Sequence, residues 1–315
     1  MKPLPGDLSA LAAGGKAALA RVLSALESAP EDPTLAALLD AAAAAPKGVV
    51  LGLTGPPGVG KSTLTNAFIA RMRVRGETVA VIAVDPSSRR SGGALLGDRT
   101  RIETDPEDTG VFVRSMAARR RLGGLADLTF PAAVLMRALF DRVIVETVGV
   151  GQSETEIADC ADLVVFCAQP GSGDALQFMK AGVMEVPDVV LVTKGDMGPV
   201  ARRAAADVRG ALSLSVEDGV LPSVAIVSSQ TGEGLDAALD LISDLANTRA
   251  ASGDFNRKRQ AQARSWAESR LVESYGIVGL AAIQSQLTCI DESFTAIARL
   301  ATPAREAIQR IVKNL

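Results

Sequence analysis

The sequence predicts an α/β fold with a mostly parallel central sheet and helical arms on both sides of it. Seven short runs of β-branched and other apolar residues lie between residues 49 and 228. Most are apolar throughout, which is typical of strands buried on both faces, and helix-compatible stretches alternate with them. Apolar residues recur at helical spacing outside this region. We therefore expect an N-terminal arm over 1–46, an α/β domain over 47–250 and a C-terminal arm over 251–315.

The N-terminal arm is predicted to be helical between residues 8 and 45. Its leucines recur at helix-compatible spacing, and Pro30 and Pro33 divide it into at least two helices. Such an arm cannot bury its apolar face by itself, so we expect it to pack on the central domain or on a second subunit.

The seven predicted strands are each followed by a turn and a helical stretch. Their predicted bounds are Val49–Thr54, Val79–Asp85, Gly110–Arg114, Arg142–Thr147, Leu163–Ala168, Val189–Thr193 and Val224–Ser228. After Leu245 the chain offers no further strand candidate. We expect two or three helices in Arg257–Leu315, interrupted at Gly276, Gly279 and Pro303.

Composition excludes several chemistries. The 315 residues include no histidine, so a Ser-His-Asp triad, a Cys-His pair and histidine-ligated zinc, haem or cobalt are excluded. A net charge of −3 and only 3% aromatic residues argue against a nucleic-acid partner.

The cysteines Cys160, Cys167 and Cys289 form no paired motif, which favours a reducing compartment. With no signal-like start and no apolar run of about 18 residues, we expect a cytoplasmic protein that does not enter membranes.

The segment Gly55–Thr63 satisfies the pattern GxxxxGK[ST] between a predicted strand and a predicted helix over Leu64–Val74. In this context glycines let backbone N–H groups face phosphates, and the helix N-terminus adds its positive end. Lysine reaches the β and γ phosphates, and the following serine ligates magnesium. The sequence thus predicts a P-loop site formed by Pro57, Gly58, Val59, Gly60, Lys61, Ser62 and Thr63.

A second motif indicates that the base is guanine. Thr193-Lys194-Gly195-Asp196 follows a predicted strand and has the spacing [NT]KxD. The Asp196 carboxylate can accept from guanine N1–H and its 2-amino group, whereas adenine N1 is a bare acceptor. Such a site rejects the wrong base by roughly four to five orders of magnitude. Lys194 would pack along the ring, and Ser228, Ser229 and Gln230 would supply a backbone donor to O6. A P-loop GTPase domain is therefore predicted.

Carboxylates at strand ends are candidates for the magnesium site. Asp85 and Glu146 close two predicted strands, at the edge where open α/β sheets present ligand residues. Glu146 opens an ExxG motif where many P-loop GTPases have DxxG. It would hold magnesium directly or through water, while the Gly149 N–H meets the γ-phosphate. With Asp98 on a glycine-bounded loop, the predicted magnesium set is Ser62, Asp85, Asp98 and Glu146.

Hydrolysis is expected to be slow. In Ras-type switches a glutamine follows the glycine of this motif and orients the attacking water, but here Val150 follows Gly149. A partner or a moving loop that completes such a site can supply about 10³ to 10⁵ in rate. Lys180 and the run Arg119-Arg120-Arg121 are candidates for that completion, and a solvated basic face is the alternative for each. These features favour a regulatory GTPase.

Several further segments resemble a specific family. They are Val84-Asp85-Pro86-Ser87-Ser88, Ser91-Gly92-Gly93, Leu96-Gly97-Asp98-Arg99-Thr100-Arg101, the string ETVGVGQSE from Glu146 to Glu154, and Gly173-Asp174 to Lys180. Together they resemble the MeaB/ArgK family, and the resemblance extends from about residue 13 to about residue 274. The ETVGVGQSE string is more specific than the P-loop.

The resemblance implies a GTPase chaperone for methylmalonyl-CoA mutase or a similar adenosylcobalamin-dependent mutase, which gates cofactor loading and protects the mutase. It implies GTP or GDP and Mg²⁺ as ligands and a homodimer formed through the C-terminal arm. Asp85, Asp98 and Glu146 resemble its magnesium and γ-phosphate carboxylates, and Lys180 its switch lysine. The chain departs from the family at Thr193 (commonly Asn), at Ser229 (commonly Ala) and in an Arg-rich segment before Leu122.

Other functions remain alternatives. A nickel-delivering metallochaperone GTPase, or a switch for another client, would share the P-loop, but metal delivery needs His or Cys clusters. A protein kinase would need a phosphoacceptor groove and a catalytic aspartate that the sequence does not reveal. An ATP-dependent dimeric switch is disfavoured by the guanine motif at Asp196.

Overall fold

The computed structural model describes residues 3–30, 32–86, 102–118, 128–147, 156–171, 187–215, 221–287 and 294–298. Within these ranges, no helix combines the length and the apolar character that crossing a membrane requires.

A seven-stranded sheet forms the centre of the molecule. Its strands are β1 (Val49–Thr54), β2 (Val79–Pro86), β3 (Val111–Ala118), β4 (Arg142–Glu146), β5 (Leu163–Ala168), β6 (Val189–Val192) and β7 (Ser223–Ile226). Their order is β3-β2-β4-β1-β5-β6-β7, and every neighbouring pair is parallel. From β1 the chain runs to β2 and β3 on one side, returns to β4 beside β1, and continues to β5, β6 and β7 on the other side. The strand order therefore reverses at β1, the position where open α/β sheets bind ligands.

The helices lie on both sides of this sheet. They are α1 (Leu8–Ala13), α2 (Gly15–Ser28), α3 (Pro33–Ala44), α4 (Lys61–Val74), α5 (Thr129–Leu139), α6 (Pro199–Ser215), α7 (Leu235–Ala251) and α8 (Asp254–Leu287). Short 3₁₀ turns cover Ile157–Asp159 and Gly195–Met197, and residues 294–298 are helical.

Side chains alternate between the two faces of the sheet, so each strand contributes to two cores. On one face Val50, Val143 and Val164 share a core with the N-terminal arm and α5. On the other, Leu51, Ile144 and Val165 pack against α4 and α7. A third cluster joins α6 to β5 and β6. The result is three layers, with helices covering a sheet that is buried on both faces.

The predicted α/β fold with a parallel sheet is confirmed, and the seven predicted runs are the seven strands with ends that shift by a few residues. Pro30 and Pro33 do separate two helices, and Pro33 occupies the first turn of α3, where its missing N–H costs nothing. The break between α1 and α2 at Gly14 was not predicted.

The predicted interruptions at Gly276 and Gly279 are wrong, because α8 runs through both positions to Leu287. A glycine inside a helix costs only about 1 kcal/mol relative to alanine, and unlike proline it keeps its N–H. Pro303 lies outside the described residues.

Candidate nucleotide site

The loop between β1 and α4 has the backbone that the P-loop motif requires. Gly55, Gly58 and Gly60 have φ values of 137°, 75° and 99°, a region that side chains with a Cβ rarely adopt. A Cβ at Gly55 would also overlap the carbonyl oxygen of Cys167 on β5. Glycine is therefore needed at Gly55 both for its dihedral angles and for the close approach of two backbones.

The N-terminus of α4 opens directly from this loop. Gly60 is the N-cap residue, and having no side chain it leaves the N–H groups of the first turn for another acceptor. No acidic residue occupies that turn. Because the N-terminus of a helix carries partial positive charge, this position suits a phosphate.

Lys61 is the first residue of α4 and is only 7% exposed. Its Nζ donates to the carbonyl oxygens of Gly55 and Pro56 at 2.7 and 3.1 Å. The ammonium group is therefore curled into the loop whose backbone would surround the phosphates. Exchange of these carbonyl oxygens for phosphate oxygens would keep its donors satisfied.

The carboxylate of Glu146 lies opposite the first turn of α4. It is 8% exposed, and its two oxygens each accept from a hydroxyl: Oε1 from Ser62 at 2.6 Å and Oε2 from Thr65 at 2.9 Å. A hydroxyl and a carboxylate are the hard oxygen donors that Mg²⁺ prefers, and Mg²⁺ in such sites is held by one or two carboxylates together with substrate phosphates. The donor set at Ser62 and Glu146 therefore fits magnesium.

Thr193 ties the predicted base-binding loop to the P-loop. It is buried, and its hydroxyl is within 2.8 Å of the Val59 carbonyl oxygen and 3.0 Å of that of Ala168. Family members commonly have asparagine at this position. Here the threonine hydroxyl contacts the backbone of the P-loop at Val59. Lys194 continues this link: its Nζ donates to the Gly58 carbonyl at 3.3 Å and to the Gln169 side chain at 2.7 Å.

Asp196 is held in place by the next loop of the sheet. Ser228 is fully buried, and its hydroxyl donates to Asp196 Oδ1 at 2.7 Å and accepts from the Thr231 N–H at 3.2 Å. The Gly195 N–H donates to the Val227 carbonyl at 2.9 Å. These bonds join the loops after β6 and β7, so the predicted guanine-binding carboxylate has a defined orientation.

An open cleft of about 740 Å³ lies at the carboxyl ends of β1 and β4. Eight of the predicted site residues line it: Pro57, Gly58, Gly60, Lys61, Ser62, Thr63, Glu146 and Ser229. The hydrogen bonds described above connect this region to Lys194, Asp196 and Ser228. Val59 is buried, and Gln230 is exposed in the turn after Ser229.

Four residues of the cleft were not predicted: Asn66, Ala67, Glu103 and Thr147. The Glu103 N–H donates to Asn66 Oδ1 at 3.2 Å, and the Thr147 and Thr54 hydroxyls are 3.1 Å apart. Asn66 lies one helical turn after Ser62 and Thr63, so its helical spacing could have indicated it. Glu103 carries no such local signal, because it reaches the cleft from a distant part of the chain.

Several predicted residues lie outside this description. The structure describes the backbone of Asp85 in β2, but its side chain is not among the described parts. Asp98, Gly149, Lys180 and the run Arg119–Arg121 lie outside the described residues altogether. Their assignments stay predictions.

The described cysteines are unsuited to metal delivery. Burial raises the pKa of the Cys167 thiol to about 12 and raises that of Cys160 further, whereas metal binding needs thiolates. Within the described ranges, no group of three or more Cys, Asp and Glu residues is placed to hold a metal ion. Cys289 is outside these ranges.

The parallel sheet, the P-loop at its switch point and the Ser228–Asp196 arrangement together define a P-loop protein of the GTPase class. The chain matches the family model "Methylmalonyl Co-A mutase-associated GTPase MeaB" over residues 19–277. It therefore belongs to the MeaB family of GTPases.

Relatives agree with this assignment. The mouse protein "Methylmalonic aciduria type A homolog, mitochondrial" is 38% identical over 229 residues, 71% of this chain and 55% of that protein. A Mycobacterium tuberculosis protein described as a probable GTPase is 36% identical over 272 residues, 83% of this chain and 80% of its own length. The crystal structure of a LAO/AO transport system kinase has a TM-score of 0.65 and 28% identity, covering 97% of this chain and 95% of that one.

Proposed function

We propose that this protein is a slowly hydrolysing GTPase that gates cofactor loading of an adenosylcobalamin-dependent mutase, methylmalonyl-CoA mutase or a similar enzyme, and protects it. The observation that carries the proposal is the match to the mutase-associated family over residues 19–277. The orientation of Asp196 by Ser228 supports guanine as the base. Because the chain has no histidine, any protein imidazole bound to cobalt would come from the client.

The reaction is GTP plus water giving GDP and phosphate, and the chain contributes mainly charge and positioning. Backbone N–H groups of the P-loop and the N-terminus of α4 would bind the phosphates, with Lys61 neutralising the β and γ groups. Ser62 and Glu146 would hold Mg²⁺, with Asp85 and Asp98 as further predicted ligands. The ion, when bound, offsets the charge that develops on the phosphate oxygens.

The proposed low rate follows from the residue that stands after the glycine of the ExxG motif. Val150 cannot orient water as a glutamine does, and the chain has no histidine to act as a base. A client that completes the site would raise the rate, so hydrolysis and client binding would be coupled. Lys180 and the arginines Arg119–Arg121 remain the proposed candidates for that step.

A homodimer formed through the C-terminal arm and a cytoplasmic location are also part of the proposal. The family resemblance supports the dimer. The buried free thiols of Cys160 and Cys167 agree with a reducing compartment.

The proposal is tested by reconstitution. The purified protein is mixed with the apo-mutase from the same cell and adenosylcobalamin, and cofactor transfer and GTP hydrolysis are followed with GTP, GDP or ATP. We expect transfer to depend on GTP and the client to accelerate hydrolysis. Lys61→Ala should abolish both, while Lys47→Ala, beside Asp141 at the opposite end of the sheet, should change neither. A turnover above roughly 1 s⁻¹ without a client would contradict a regulatory role.

A further inference from the structure

Thr65 is a buried threonine on α4 that no nucleotide-binding motif of the sequence includes. Its side chain is 0% exposed, and its hydroxyl donates to Glu146 Oε2 at 2.9 Å. Ser62, three residues earlier, donates to the other oxygen of the same carboxylate at 2.6 Å. Because positions i and i+3 share one face of a helix, a single turn of α4 holds both oxygens of Glu146.

The two hydroxyls differ in their surroundings. Ser62 lines the cleft, where its oxygen is available to a magnesium ion, whereas Thr65 is fully buried behind it. The hydrogen bond from Ser62 to Glu146 therefore depends on what occupies the cleft. The hydrogen bond from Thr65 to Glu146 does not. Thr65 is branched at Cβ, so its hydroxyl is presented in few rotamers.

From these contacts we infer that Thr65 is a positioning residue, which fixes the Glu146 carboxylate so that it can serve the magnesium ion. The inference rests on the proposed guanine-nucleotide site and deepens it. The hydroxyl itself does not touch metal or nucleotide. It acts through Glu146, as residues behind a metal ligand orient that ligand in other metal sites.

The side chain at position 146 is a glutamate, and its length explains why a positioning residue such as Thr65 is needed. Many P-loop GTPases have an aspartate where this chain has Glu146. Glutamate has one more rotatable bond, so holding its carboxylate in one orientation costs more conformational entropy. A second fixed donor on Oε2 offsets that cost, and the carboxylate reaches the first turn of α4 with both oxygens already satisfied.

Thr65→Val tests the inference because it keeps the branched shape and removes the hydroxyl. The affinity for fluorescently labelled GDP is measured in EDTA and then as a function of Mg²⁺ concentration. In EDTA we expect the variant to bind GDP as the wild type does. The Mg²⁺ concentration that gives half of the magnesium effect should rise about 10-fold. Thr65→Ser, which restores a hydroxyl, should restore most of the Mg²⁺ response.

Thr78→Val is the matched control, since it removes another threonine hydroxyl that donates to a carboxylate, that of Asp141, at the opposite end of the sheet. Its magnesium titration should match that of the wild type. If Thr65→Val does not fold, Thr65→Ala is titrated instead. An unchanged magnesium midpoint in a folded variant without the hydroxyl would overturn the role of Thr65. Wild-type protein that fails to bind guanine nucleotide would instead overturn the proposed function.

Discussion

At the scale of single residues, the proposed preference for guanine depends on Asp196. Ser228 orients its carboxylate through the 2.7 Å bond to Oδ1, and Thr231 in turn holds the Ser228 hydroxyl through its N–H. Ser228 is fully buried whereas Asp196 is exposed, so the hydrogen bond anchors an exposed carboxylate to a buried hydroxyl. The sequence predicted the carboxylate from its spacing, whereas the bond to Ser228 required the loops after β6 and β7 to meet.

We predict that Asp196→Asn changes the base preference of the site from guanine to xanthine. The asparagine amide can accept from N1–H but presents a donor to the 2-amino group of guanine, whereas xanthine has a carbonyl there. Loss of one charge-assisted hydrogen bond should weaken GDP binding by about 10². Competition between GDP and XDP measures the change. Asp207→Asn, on the exposed side of α6, is the control; equal GDP affinity in both variants would refute the assignment of Asp196.

At the scale of elements, Thr78 and Asp141 join the starts of β2 and β4. Asp141 Oδ2 accepts from the Thr78 N–H at 2.8 Å and from its hydroxyl at 2.6 Å. Burial alone would raise the pKa of Asp141, but the bonds from Thr78 and the nearby Lys47 outweigh it and lower that pKa below its ordinary 3.8. The pairing of Val79 with Arg142 begins directly beside this contact.

This shift predicts how stability depends on pH. Because the pKa is lowered on folding, the contribution of Asp141 is present above pH 3.8 and is lost as the pH falls through its value in the folded protein. Thr78→Val should cost about 1 kcal/mol at pH 7, and the cost should shrink at an acidic pH below the ordinary 3.8 of the carboxyl group. Urea unfolding at both pH values measures it. Thr248→Val, whose hydroxyl donates to a backbone carbonyl, should show no such pH dependence.

At the scale of the whole molecule, buried Asp162 connects the sheet to the C-terminal arm. It precedes β5, is fully buried, and accepts from the Val50 N–H at 2.8 Å and from Arg259 of α8 at 2.7 and 2.9 Å. The Arg137 guanidinium lies 3.5 Å away. Burial lowers the pKa of Arg137 to about 10, with Asp162 opposing that shift. This carboxylate balances two guanidinium groups where α8 passes the beginnings of the strands.

We predict that Asp162→Asn destabilises the protein by about 3 to 5 kcal/mol, because it leaves buried arginine charge uncompensated. Asp236→Asn is the control: Asp236 pairs with Arg71 and Arg75 on the surface, and such pairs contribute about 1 kcal/mol or less. Trp266, the single tryptophan, packs on Phe130 and Phe294 and reports unfolding by fluorescence. A similar loss of unfolding free energy in the two variants would contradict a central role for Asp162.

The sequence alone predicted the features that depend on neighbouring residues. Apolar runs indicated the strands, and GxxxxGK[ST] indicated the loop and the start of α4, because a few consecutive residues determine the local backbone. The tertiary structure decided what depends on distant segments. Thr65 and Glu146 are 81 positions apart, and Asp162 and Arg259 are 97 apart. Such contacts follow from strand order and register, and no local pattern in the chain specifies them.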